Sequence, residues 1–346
     1  MYENPEDRPA EEEGGAPPQP QDMAAMQAPP KRSPNPILWG PHGIRAGWAV
    51  LIFAAIIAGL AVIVRLVAMH FLHPPHKVAI LTPGLAATNE GIMLGMLAIA
   101  VFAMSRIECK PFLYYGYQGR ARAGRFLFGL LWGFVAITVL VLTLWKLGLA
   151  SLSGPTLNEG SALRYAVEWG GMFVMVGFFE ESFLRGYLQY TVGRGLGFWW
   201  AALMLSFLFG FGHHSNPGES PIGLVSAGAI GLVFCVSLWY TGSLWWAVGF
   251  HAAWDWGETY FYGTADSGLQ AKGHLLNEHA VGSILWSGGA TGPEGSILIL
   301  PLIAIIAALM FLWWGRRERS PWAGAGWRPP RAENRPPEAE ITTAGN

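Results

Sequence analysis

Three short polar clusters interrupt an otherwise apolar sequence. The first is Glu180-Glu181-Ser182-Phe183-Leu184-Arg185. The second is Phe209-Gly210-Phe211-Gly212-His213-His214, and the third is His251-Ala252-Ala253-Trp254-Asp255. A charge at bilayer depth costs about 3 kcal/mol on insertion scales, so each must be compensated or used. Glu181 and Arg185 are four apart, share a helical face and can neutralise each other. Glu180 points about 100° away from that pair. His251 and Asp255 are again four apart and share a face. Ionisable groups inside a membrane normally face the bundle interior and meet, so the three clusters are expected to converge. A carboxylate in an apolar site can serve as general base on water, and a neighbouring histidine can orient that water, share its proton or bind a metal. Other groups must stabilise the oxyanion formed when water attacks a carbonyl. The implied chemistry is peptide hydrolysis by an activated water. The sequence has no Gly-x-Ser-x-Gly elbow and no His-Glu-x-x-His motif, which excludes those two familiar routes.

The elements that must hold these groups are membrane helices. Of 346 residues, 52% are hydrophobic and 13% charged, against a usual charged share of about 25%. The fold class expected is an all-α polytopic bundle of about eight spans: Ala46–Met69, Asn89–Ser105, Gly124–Leu149, Tyr165–Thr191, Leu196–His213, Ile222–Tyr240, Leu244–Tyr260 and Ser296–Gly315. The fourth is long enough for its last part to leave the membrane. The bundle occupies residues 45–315. Residues 1–44, rich in Pro and Glu, and the polar residues 316–346 read as disordered tails. A net charge of -1 gives no electrostatic case for nucleic acid. Two cysteines, Cys109 and Cys235, predict neither a disulfide nor a thiolate metal site.

Basic residues set the orientation. Arg106, Lys110, Arg120 and Arg122 lie between spans two and three; Lys31, Arg32 and Arg45 precede span one; Arg316, Arg317 and Arg319 follow span eight. This predicts both termini in the cytoplasm. Trp199-Trp200, Trp239-Tyr240, Trp245-Trp246 and Trp313-Trp314 then fall at cytoplasmic ends. Small residues four apart, Gly91/Gly95, Gly129/Gly133 and Gly223/Ala227/Gly231, let helix backbones approach. Helix rise puts His213 about 21 Å from Trp199 but His251 only about 9 Å from Trp245. On straight parallel helices the histidines would sit at different depths, unless a tilt or a break at Gly210 or Gly212 intervenes. The segment 261–294, with Asp266, Lys272, His274, Glu278 and His279, reads as a long connection or a lid.

The three motifs in this order resemble the type II CAAX prenyl protease and bacteriocin-processing (CPBP) family of intramembrane endopeptidases, over about residues 165–260. Its pattern is Glu-Glu-x-x-x-Arg, Phe-x-x-x-His, then His-x-x-x-Asn or Asp. Here these are Glu180 to Arg185, Phe209 to His213 and His251 to Asp255. The resemblance implies that Glu180 and His213 activate the water, that His251 and residue 255 support the oxyanion, and that Glu181 and Arg185 are supporting groups. It implies a peptide or protein substrate, prenylated or otherwise membrane-associated, and residence in a membrane, read here as a bacterial cytoplasmic one. Members are described both as metal-dependent and as glutamate-dependent. A divalent metal such as zinc on Glu180, His213, His251 and Asp255 therefore stays an open option. Asp255 replaces the commoner Asn; an ionised carboxylate only accepts hydrogen bonds, so its expected role is to orient His251 or hold a metal. The alternatives are a non-catalytic immunity or scaffold protein and an ion- or proton-coupled transporter.

Overall fold

The computed structural model describes residue 35 and residues 37–40, 43–71, 82–118 and 121–315. The tail 316–346 and most of 1–44, with Lys31, Arg32, Arg120, Arg316, Arg317 and Arg319, lie outside the described residues. Within 1–44, β1 (Trp39–Gly40) pairs antiparallel with β2 (Gly43–Ile44), and the positive φ of Gly43 (97°) is the turn conformation that glycine tolerates.

From residue 46 onward the described residues form an all-α membrane bundle. Its helices are α1 (Ala46–Phe71), α2 (Pro83–Ile107), α3 (Arg122–Lys146), α4 (Glu159–Glu181), α5 (Gln189–Leu196), α6 (Phe198–Gly212), α7 (Pro221–Thr241), α8 (Trp245–Trp256) and α9 (Ile299–Met310). Four of them, α1, α2, α3 and α7, are long and apolar enough to cross a membrane by themselves. The other expected spans are shorter or more polar for identifiable reasons. Span four ends its regular helix at Glu181 and passes through a wide π-helical stretch, Ser182–Leu188, kinked at Gly186. Spans seven and eight likewise continue as π-turns, Gly257–Tyr262 and Phe311–Gly315.

Helix α8 needs only twelve residues because it runs through the interior: every residue from Trp246 to Asp255 is buried. Glycine admits it there. A Cβ on Gly129 would collide with the carbonyl of Trp246, one on Gly133 with that of Phe250, and one on Gly249 with that of Phe126. The small-residue pair of α3 is thus a real backbone contact. Gly95 has nothing within 4 Å of such a Cβ, and Gly91 only ordinary contact with Met175. The main core joins Ile137, Leu140 and Leu144 of α3, Phe234 of α7, Trp246 and Phe250 of α8, and Ile303 and Met310 of α9. Apolar side chains such as Leu51, Val62, Leu66, Leu131 and Phe207 are exposed on the outside, where a lipid-facing surface requires them. Of the tryptophans at these helix ends, Trp199 lies 5.0 Å from Trp239 and Trp246 lies 5.7 Å from Trp314, ring to ring.

The connection 261–294 is more ordered than its composition suggested. Its β4 (Asn277–Ala280) pairs antiparallel with β3 (Ala150–Ser153). Leu275 and Leu276 donate backbone hydrogen bonds to Tyr260 and Phe261, and the Trp169 indole donates to Lys272 O at 3.1 Å. Both cysteines are free thiols, Cys109 exposed and Cys235 buried.

Candidate active site

Helix α4 is capped by Asn158, whose side chain accepts from Ser161 N at 2.9 Å, and it crosses α8 closely at Gly177, where a Cβ would lie 2.9 Å from Val248 O. One turn beyond that crossing, Glu180 and Glu181 meet His251. Both carboxylates reach it despite their divergent directions, because the imidazole sits between them. Nδ1 of His251 is 3.1 Å from Glu181 Oε1, and Nε2 is 3.5 Å from Glu180 Oε2 and 3.6 Å from Asp255 Oδ2. Glu181 Oε1 also accepts from Arg185 at 3.0 Å, and both side chains are fully buried. The Arg185 guanidinium lies 4.3 Å from the centroid of Phe209 and 5.5 Å from that of Phe234. Its room depends on Gly231, where a Cβ would strike it. Cation–π contact thus complements the ion pair at a fully buried position.

His213 arrives from the end of α6. Gly210 presses α6 against the Leu224 carbonyl of α7, and the helix gives way to a tight turn at His213–Ser215. The His213 ring packs edge-on against Phe209 at 5.0 Å, and Phe209 in turn lies 6.0 Å from His251. Nδ1 of His213 is 2.8 Å from Phe209 O, which accepts its hydrogen and directs Nε2 outward from the helix. Helix α6 runs unbroken to Gly212, so no break precedes His213, and His213 and His251 nonetheless line the same cavity. Glu180, His213, His251 and Asp255 all line one cavity of about 670 Å³.

Three further carboxylates line that cavity, and a fourth stands behind its wall. Glu90 lines it from α2, with one oxygen lacking a hydrogen-bond partner. Asp266 and Glu294 line it from the connection after α8. Burial, then the charge of Glu294, raises the Asp266 carboxyl to about 7. Glu258 stands behind them, fully buried. Sequence reading passed over Glu90, Glu258 and Glu294. Glu258 had a signal, since residues 251, 255 and 258 share a helical face at three- and four-residue spacing. Glu90 stands at the start of the second expected span and Glu294 in a glycine-rich stretch, where a lone carboxylate carries no spacing signal.

The metal option can be tested on donor spacing. Among the described residues, Glu180, His213, His251 and Asp255 provide no three donor atoms that all lie within 4.8 Å of one another, whereas Glu258, Asp266 and Glu294 do. The set expected from the motifs, as placed, does not fit one shared ion, and no step below is routed through a metal.

An integral membrane helix bundle with ionisable side chains gathered at an internal cavity is the class that fold and site define. Within it, residues 162–257 match the family model for the type II CAAX prenyl endopeptidase Rce1-like proteins, close to the stretch 165–260 singled out by the motifs. The matched residues run from α4 to the end of α8 and contain all six residues of the expected site. No curated protein matches the chain.

Proposed function

We propose that this protein is an intramembrane endopeptidase in which Glu180 is the general base. The observation that carries the reading is the clamp on His251. A carboxylate only accepts, so the contact with Glu181 fixes the proton on Nδ1. Nε2 is thereby turned toward Glu180, Asp255 and the cavity, at separations that leave space for a water or a substrate oxygen.

A water held between Glu180 and His213 loses its proton to Glu180 as its oxygen bonds to the scissile carbonyl carbon. The carbonyl π electrons move to oxygen. The oxyanion is met by His251, which Asp255 orients and which donates from Nε2 when protonated there. Collapse of the tetrahedral intermediate breaks the C–N bond, and the proton carried by Glu180 passes to the leaving amine. Glu181 and Arg185 hold His251 in register and do not touch the substrate.

The substrate we infer is a peptide segment carried at the membrane, with a prenylated C-terminus as the first candidate. Support comes from the cavity walls, where Phe179, Phe183, Leu184, Leu188 and Ile230 offer an apolar surface beside the polar cluster. Purified protein should cleave peptides from a library of prenylated CAAX-like and unmodified sequences, and Glu180→Gln should not. Equal cleavage by the Glu180→Gln protein would remove Glu180 as base. Equal turnover of prenylated and unmodified peptides would remove the prenyl preference.

A further inference from the structure

Just beyond α8 the chain gathers three carboxyl groups with no basic side chain paired to them among the described residues. Glu258, Asp266 and Glu294 each bring one carboxylate oxygen to within 4.8 Å of the other two. Glu258 is 0% exposed, and neither of its oxygens has a hydrogen-bond partner. The Trp254 indole beside it gives its N–H to Glu294 Oε1 at 2.8 Å. Glu294 Oε2 accepts from Ser267 at 2.6 Å, and Asp266 Oδ2 from Thr259 at 3.1 Å. Two of the three acids are thus oriented by neighbours, and the third points into the group with nothing to receive. Among the described residues no Lys or Arg forms an ion pair with any of them.

A fully buried carboxylate with both oxygens unpartnered is costly, and two adjacent carboxylates make it more so. A cation relieves all three at once. We propose that Glu258, Asp266 and Glu294 form a binding site for a hard divalent cation, of the Ca²⁺, Mn²⁺ or Mg²⁺ class. The donors are all oxygen, which suits these ions and not thiophilic or imidazole-seeking ones. Calcium bonds oxygen at about 2.4 Å, so two ligands on opposite sides stand about 4.8 Å apart, and the observed spacing already lies within that span. The ion would join the π-turn that continues α8 to two points of the connection that follows it, clipping the cavity wall formed by Asp266, Ser267 and Glu294. The site lies outside the three motifs and does not depend on the protease reading.

The test is metal binding by the full-length protein in detergent, stripped with a chelator and titrated with Mn²⁺, Ca²⁺ or Mg²⁺ as chlorides. Mn²⁺ binding is read by electron paramagnetic resonance, and each ion by its effect on melting temperature. The wild type should bind one Mn²⁺ and melt higher in at least one of the ions. Glu258→Gln and, independently, Asp266→Asn should weaken Mn²⁺ binding by about tenfold or more; Glu278→Gln, on β4, should not. A reversal of sign separates the site from a merely structural cluster. Without metal, Glu258→Gln should melt higher than wild type, because it removes a repelled charge; in saturating metal the order should invert. No saturable Mn²⁺ binding by folded wild type, or undiminished binding in both variants, overturns the proposal. So does a wild type that gains the same stability from acid alone and nothing further from metal, since the acids would then be sharing protons.

Discussion

Two buried polar regions of this molecule follow opposite rules. Near the junction of α2 and α5, Glu108 is saturated: Oε1 accepts from Arg194 at 3.1 Å and from Tyr187 at 3.3 Å, and Oε2 accepts from Tyr115 at 3.0 Å. One carboxylate there has one cation and two phenols, and aromatic rings wall it in, with Tyr115 and Tyr187 5.1 Å apart. Around His251 the count is reversed. Glu180, Glu181 and Asp255 share Arg185 and one imidazole, and an oxygen of each glutamate has no hydrogen-bond partner. Buried polar groups in folded proteins are normally satisfied, so a satisfied cluster is explained by stability and an unsatisfied one calls for a reactant or ligand. On the proposed reading the Glu108 cluster is scaffold and the His251 cluster is the site of chemistry.

The strongest way to break that contrast is to remove an acid from the open cluster. Glu180→Gln keeps the shape and deletes the proposed base. Hydrolysis of a cleavable peptide should fall by about 10²–10⁴, the usual contribution of a general base. The melting temperature should change little, because Glu180 Oε2 has no hydrogen bond to lose. A large drop in stability with retained turnover would make Glu180 a packing residue.

The saturated cluster should respond in the opposite sense. Arg194→Met leaves Glu108 buried without its cation, a change that costs about 3 kcal/mol in such pairs. Thermal denaturation should show that loss, while turnover per folded molecule stays near wild type. If Arg194→Met instead lowered turnover at unchanged stability, the division between scaffold and site would fail.

A third substitution asks how far the open cluster depends on helix crowding. Gly133→Val puts a branched side chain where even a Cβ meets the Phe250 carbonyl, one residue before His251. Overpacking of this kind typically costs about 1–3 kcal/mol, and pushing α8 away should also reduce hydrolysis. Gly95→Val, facing open space, should stay within about 0.5 kcal/mol of wild type. Melting curves of the two variants side by side make the comparison.

These contrasts also show what could be read from sequence. Helix positions followed from apolar runs, since inside lipid only helices and closed barrels satisfy the backbone, and runs near about 20 residues suit a helix. The clusters Glu180 to Arg185, His213 and His251 to Asp255 were visible because each is an expensive exception in such a run. The sharing of His251 between Glu180 and Glu181 was not visible. It depends on where α8 crosses α4, which Gly177 sets through a tertiary contact. The end of α6 at Gly212 falls one residue from the expected end of span five, but the pairing of Asn277–Ala280 with Ala150–Ser153 was not visible, because these strands are 124 or more residues apart and their composition resembles any polar loop. Glu258 and Glu294 lie 36 positions apart, so only the fold reveals that they meet Asp266.

The finest division concerns Glu278, a buried carboxylate that lines neither polar cluster. Burial alone raises its carboxyl from 4.5 to about 7. A group whose pKa is higher in the folded state favours folding most when protonated. Its contribution is complete below about pH 4.5 and is lost as the pH rises through about 7. Glu278→Gln is neutral throughout. The variant should therefore melt close to wild type at acid pH and above it at pH values beyond 7, with a difference that grows across this window. Melting temperatures of both proteins over that range would measure it, and a difference independent of pH would show that Glu278 is ionised in the folded protein without penalty. In that case burial by itself would not mark a carboxylate as unsatisfied, and the contrast between Glu108 and Glu180 would rest on their partners alone.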